Sequence, residues 1–91
     1  MSDEPYDITW TASARRSLDR ISEKAATACI EFIYGALSEN PQRVGRELRL
    51  ELMGKRSAGR GDFRVVYQID DEERIVVVIA TDHRSDTYRQ R

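Results

Sequence analysis

Cysteine, histidine and tryptophan each occur once in this 91-residue chain, and proline and phenylalanine twice each. A single cysteine excludes an internal disulfide and suits a reducing compartment. Cys29 falls on an apolar helical stripe, so it reads as a plain core residue rather than a nucleophile. One histidine, one cysteine and scattered carboxylates lack the spacing of a metal site. Neither GxxxxGK[ST] nor GxGxxG occurs, so the five glycines build no nucleotide phosphate loop, and no cofactor is expected. The longest apolar run, Ile75 to Ala80, is far short of the roughly 20 residues that cross a bilayer. The acidic, polar start does not resemble a signal peptide. These absences leave one cytoplasmic domain over residues 1–91, large enough for one core and too small for a second. A partner would be a natural source of further stability.

The charge that is present is unevenly spread. The formal net charge is -1. Residues 1–40 carry four basic and seven acidic groups, residues 41–64 seven basic and three acidic, and residues 65–91 four basic and six acidic. The middle is a basic island in an acidic chain. Its densest part is GKRSAGRGDFRVVY, Gly54 to Tyr67, where Lys55, Arg56 and Arg60 precede a hydrophobic strand that itself carries Arg64. A second polar cluster, Asp82-His83-Arg84, follows the next strand, with Tyr88 just beyond. Arg, Lys, His and Tyr gathered at the ends of adjacent strands suit a phosphate. The plainer reading of the same charges is a solvated surface.

The hydrophobic pattern predicts an α+β fold. Tyr6, Ile8 and Trp10 alternate with polar residues, as in a short strand with one buried face. Thr11 or Ser13 can cap a helix over 12–20, with Leu18 and Ile21 inward, and Ser22 a second helix from Glu23 to Leu37. The second helix carries the stripe Ala25, Cys29, Phe32, Ala36, and Asn40-Pro41 stops it. Residues 41–47 read as a polar connection. Strands follow over Leu48–Leu52, over 56–60 with a bend at Gly61-Asp62, from Phe63 to Ile69, and over Ile75–Thr81, the last β-branched enough to be central. Asp70 to Glu73 form a charged hairpin turn. The expected architecture is an N-terminal strand and a two-helix antiparallel hairpin on one face of a twisted, mainly antiparallel four- to five-stranded sheet, whose other face is partly concave.

The Asn40-Pro41 helix stop, the Leu48–Gly54 segment, GDFRVVYQID and the HRSDTYR ending together resemble the RelE/ParE superfamily of bacterial toxins, with the RelE branch nearest. The resemblance covers nearly the whole chain. It implies a microbial-ribonuclease-type fold and a toxin of a type II toxin–antitoxin pair, one that enters the ribosomal A site and cuts mRNA there. Its implied partners are a cognate antitoxin, in a hetero-oligomer that touches DNA only through the antitoxin, and the ribosome with its mRNA. The ParE branch shares the fold but acts on DNA gyrase, and a catalytically weak or inactive toxin-fold partner protein is a third alternative.

Metal-free RNA cleavage requires deprotonation of the 2′-OH, in-line geometry, compensation of phosphorane charge and a proton for the 5′-oxygen. Arg64 matches the strand arginine that holds the phosphate in RelE-like toxins; a planar guanidinium fork grips two phosphate oxygens and stays charged. The plainer role for it is cover over the sheet. Lys55, Arg56 and Arg60 are candidate contacts to mRNA or ribosomal RNA. RelE-like toxins commonly carry basic residues at positions 57 and 59, where this chain has Ser57 and Gly59, a departure that bears on the catalytic geometry. His83 is the one side chain that ordinarily titrates near neutrality, and could serve as acid or base. Arg84 is the alternative for that role. Tyr88 matches a C-terminal tyrosine that stacks on a base or donates a proton. Asp82 and Asp86 could orient or dampen these groups.

Overall fold

The computed structural model describes residues 4–47, 54–61 and 63–83, with Arg60 and His83 described as backbone only. The chain runs β1 (Asp7–Trp10), α1 (Ala12–Asp19), α2 (Glu23–Phe32) continued by a π-helical turn (Ile33–Leu37), α3 (Pro41–Val44), β2 (Arg46–Glu47), β3 (Arg56–Arg60), β4 (Phe63–Asp70) and β5 (Ile75–His83). The five strands form one sheet in the order β1-β5-β4-β3-β2. The β1–β5 pair is parallel and the other pairs are antiparallel, giving the expected mainly antiparallel sheet, with the last strand in its interior and β4 in the middle.

The helices begin where the capping residues dictate. The Thr11 side chain accepts a hydrogen bond from Ala14 N, and the Ser22 side chain accepts one from Ala25 N. Each satisfies a backbone donor that the first turn leaves unpaired. Strand alternation then divides the sheet. Phe63, Val65 and Tyr67 are buried under the helices with Ile33, Leu37, Val76 and Val78. Arg64 and Gln68 face the uncovered side. The rings of Phe32 and Phe63 meet edge to face, with centroids 5.7 Å apart, and tie α2 to β4.

The structure departs from the sequence reading in the second helix and the connection after it. The helix does not keep one pitch from Glu23 to Leu37. The π-helical turn at its end brings Ile33, Leu37 and Ser38 all inward. Ser38 Oγ donates to the Tyr6 carbonyl at 2.7 Å, and Tyr6 N donates to the Ser38 carbonyl at 2.8 Å, so the helix end grips the start of β1. Tyr34 is left outside, where its hydroxyl accepts from Trp10 Nε1 at 3.0 Å. Residues 41–47 are not an unstructured link. Pro41 restarts a helix at its first position, where its missing N–H costs nothing, and Arg46–Glu47 pair with β3. The expected Leu48–Leu52 strand lies outside the described residues.

The acidic turn between β4 and β5 has Arg74 at φ 56, and Asp70 Oδ1 accepts from Glu73 N at 3.1 Å. Arg74 lies 4.2 Å over the Tyr6 ring, whose hydroxyl donates to Asp71, so this turn is fastened to the start of β1. Among the described residues no helix is long and apolar enough to cross a membrane, and no group of His, Cys, Asp and Glu could hold a metal ion.

Candidate nucleic-acid interface

On the uncovered face of the sheet, Arg64 of the basic island meets the polar end of β5. Register places Arg64 opposite Gly59 on one side and opposite Asp82 on the other. Arg64 and Asp82 are both exposed. His83 is the last residue of β5 and pairs with Phe63, one position along from the Arg64–Asp82 pair. Arg84, Asp86 and Tyr88 lie outside the described residues. Arg64, Asp82 and the backbone of His83 therefore come together at one end of the β4–β5 hairpin, remote from the acidic turn at its other end.

The three basic residues before β4 take different positions. Arg60 is level with Phe63 in the register. Lys55 is half-buried and immediately precedes β3. It stands four residues from Gly59, roughly 13 Å along the strand from the Arg64 row. Arg56 is anchored inside the fold. Its Nη2 donates to the Gln42 carbonyl at 2.7 Å and to the Gly45 carbonyl at 3.0 Å, and its Nε is buried. The Arg56 side chain also bonds to Tyr67. Tyr67 in turn donates its hydroxyl to the Pro41 carbonyl at 2.7 Å. Burial pushes the Tyr67 phenol up from its ordinary value, and the adjacent guanidinium pulls it partly back. Gly45 makes this clasp possible, since a Cβ there would stand 2.1 Å from the Tyr67 hydroxyl.

The two positions where the resemblance led us to expect basic residues are Ser57 and Gly59. Ser57 pairs with Val66 and Gly59 with Arg64, so both belong to the uncovered face. At Gly59 the backbones of β3 and β4 approach closely, and a Cβ would meet the Phe63 carbonyl oxygen at 2.9 Å. A residue that the sequence reading kept at the margin, Asp82, is the one in register with Arg64. Its alternation with Thr81 was not readable because β5 contains an irregularity between the Val66 and Tyr67 pairings.

On the helical side, Trp10, Arg15, Leu18, Asp19, Ile30 and Tyr34 line an open groove of about 430 Å³. Ile30 and Tyr34 are the large apolar side chains left exposed there, at 38% and 55%.

A helix-backed sheet with its first strand parallel to its last fits the class of small single-sheet toxins that the sequence resembles. A family model described as the ParE toxin of the type II toxin–antitoxin system parDE matches residues 8–88, and the chain belongs to this RelE/ParE toxin family. It is 51% identical over 87 residues to Toxin RelE of Mycobacterium tuberculosis, covering 96% of this chain and 90% of that protein. It is 46% identical to Toxin RelG of the same organism over 86 residues, covering 94% of this chain and 99% of that one. Among solved structures it matches the RelBE2 toxin–antitoxin complex of M. tuberculosis with a TM-score of 0.89 at 45% identity, covering 93% of this chain and 98% of the matched chain. The intact RelBE complex of Escherichia coli matches with a TM-score of 0.70 at 20% identity, covering 86% and 95%, a likeness of fold.

Proposed function

We propose that this toxin enters the ribosomal A site and cleaves mRNA by metal-free attack of a 2′-OH on the adjacent phosphate. The observation that carries the reading is Arg64, exposed on the uncovered sheet face beside the polar end of β5. Its guanidinium holds the scissile phosphate and offsets the charge that builds on the phosphorane. His83, Arg84 and Tyr88 are the candidates for supplying the leaving group's proton or stacking on the base. Lys55 and Arg60 follow the RNA backbone. Arg56, expected from sequence as an RNA contact, instead holds β3 against α3. A cognate antitoxin quenches the site. The groove with exposed Ile30 and Tyr34 suits an amphipathic segment, and an acidic stretch of the same partner suits the basic face.

The test is primer extension on mRNA from cells expressing the chain, which should show codon-resolved cuts only when ribosomes translate. Arg64→Ala should lower cleavage by roughly 10²–10³-fold, about 3 kcal/mol of transition-state stabilisation, and relieve growth arrest while antitoxin binding persists. Full toxicity from a folded, equally expressed Arg64→Ala chain would overturn the assignment.

A second reading, inhibition of DNA gyrase, is favoured by the ParE family match and by the lack of basic side chains at Ser57 and Gly59. Loss of supercoiling with intact mRNA would select it.

A further inference from the structure

Strand β5 carries one extra residue, and that residue decides what stands beside Arg64. Val76 and Val78 both point into the core. Unbroken alternation would send Ala80 and Asp82 inward as well, and Thr81 outward. Instead Tyr67 pairs with Val78 and Val66 with Ala80, so Ile79 is left without an opposite number. Beyond it the phase is inverted: Thr81 is buried and Asp82 is exposed. A bulge gives up local pairing and re-aims the side chains that follow it.

This bulge is fastened on both sides. Thr11 N donates to the Val78 carbonyl at 3.1 Å, and Thr11 Oγ1 donates to the Ile79 carbonyl at 3.1 Å. Thr81 N donates to Ser17 Oγ at 2.9 Å, and the two hydroxyls lie 3.2 Å apart. The outcome is a row of Gly59, Arg64 and Asp82 across three strands. Opposed residues of an antiparallel pair have their Cβ atoms about 5 Å apart, so the side chains of Arg64 and Asp82 start from neighbouring positions on the bare face. Among the described residues, Arg64 is the ionisable group of β4 that faces Asp82. The β3 row offers Gly59 and then Ser57, and β1 ends at Trp10, level with Val78.

Resting on the nuclease reading, we propose that Asp82 is the general base of the cleavage. Its carboxylate takes the proton from the 2′-OH adjoining the phosphate that Arg64 holds. The 2′-oxygen attacks phosphorus, a 2′-O–P bond forms, the P–O5′ bond breaks, and the 5′-oxygen leaves with a proton from solvent water. The products are a 2′,3′-cyclic phosphate and a 5′-hydroxyl, and Asp82 returns its proton to solvent. The 2′-OH and the phosphate sit on neighbouring ribose carbons, which matches the spacing of two opposed side chains in one sheet row. A carboxylate is ionised at neutral pH and can accept that proton without prior deprotonation.

The test uses the full chain, freed of antitoxin, under single-turnover conditions on mRNA-programmed ribosomes. Asp82→Asn keeps the shape and removes the basicity. It should slow cleavage by about 100-fold or more and leave binding to the programmed ribosome unchanged. Asp82→His should recover part of the rate, and its rate relative to the parent chain's should rise between pH 6 and 7.5. Asp82→Glu gives a second carboxylate variant should the asparagine chain not fold, and it should retain most of the activity. Parent-level cleavage by Asp82→Asn, or a pH profile for Asp82→His that only parallels the parent's, overturns the proposal and leaves the nuclease reading standing on Arg64→Ala. Absence of cleavage by the parent chain on translating ribosomes overturns both.

Discussion

Cys29 shows how one side chain's surroundings become a measurable property of the folded state. It is fully buried, and burial pushes its thiol up to about 11. The unfolded chain releases that proton at a lower pH. Between about pH 9 and 11 the unfolded state therefore binds fewer protons than the folded one, and stability falls as pH rises. Urea midpoints taken at pH 8 and pH 10.5 should drop in the parent chain. They should drop less in Cys29→Ala, with the remaining loss coming from Tyr67, whose phenol is raised in the same direction. Iodoacetamide should label Cys29 only on unfolding, because a thiol held neutral in apolar surroundings is inert. The burial of Cys29 was legible from the helical stripe. The clasp of Arg56 on Tyr67 and α3 was not, because Arg56, Tyr67 and Gly45 are brought together only by strand pairing and a close backbone approach. Sequence shows an arginine in a basic run, and nothing in the run tells an anchored guanidinium from a free one.

At the scale of elements, β3 sets a limit on how basic the bare face can become. Gly59 leaves no room for a Cβ against the Phe63 carbonyl, whereas Ser57 is half-buried in an ordinary strand position. Ser57→Lys should fold normally and strengthen binding to programmed ribosomes, with a steeper salt dependence. Gly59→Lys should lower the melting temperature by several degrees, through about 1–3 kcal/mol of overpacking. Equal melting temperatures for the two variants would refute the close approach. The strands and capped helix starts were readable because period-2 alternation and Thr or Ser before a helix are local signals. The π-helical turn and the bulge in β5 were hidden for a shared reason. Each adds one residue to a regular repeat in order to satisfy a partner far away in sequence, β1 in one case and α1 in the other. Periodicity through Ile75–Thr81 carried no mark of it, since every residue there tolerates burial.

The whole molecule is a sheet with one face insulated by helices and one face charged. A partner that covers both the apolar groove and the charged face would stabilise the folded state by mass action. Cognate antitoxin at 100 times its dissociation constant should add about 2.7 kcal/mol, read as a concentration-dependent rise in melting temperature. Truncating Ile30 and Tyr34 to alanine should shrink that rise without changing the free toxin's own transition by more than a degree or two. The expected layers and the interior place of the last strand hold, while α3 and the Arg46–Glu47 strand were not expected. The part of the candidate site from residue 84 onward lies outside the described residues, so what the sequence implied for Arg84 and Tyr88 stands as a proposal. Its inner part, the Gly59–Arg64–Asp82 row, follows from register, which depends on three strands at once.

The side-by-side alignment of Asp7–Trp10 with Ile75–Val78 also has a bearing on synthesis. A growing polypeptide can wind its helices early, but its first strand has no neighbour until some 65 further residues have been made, and the core beneath it stays open for that time. Arg64 cannot be presented on a finished sheet before β5 has been made. A harmful product is thus withheld during translation by the order in which its own pieces appear.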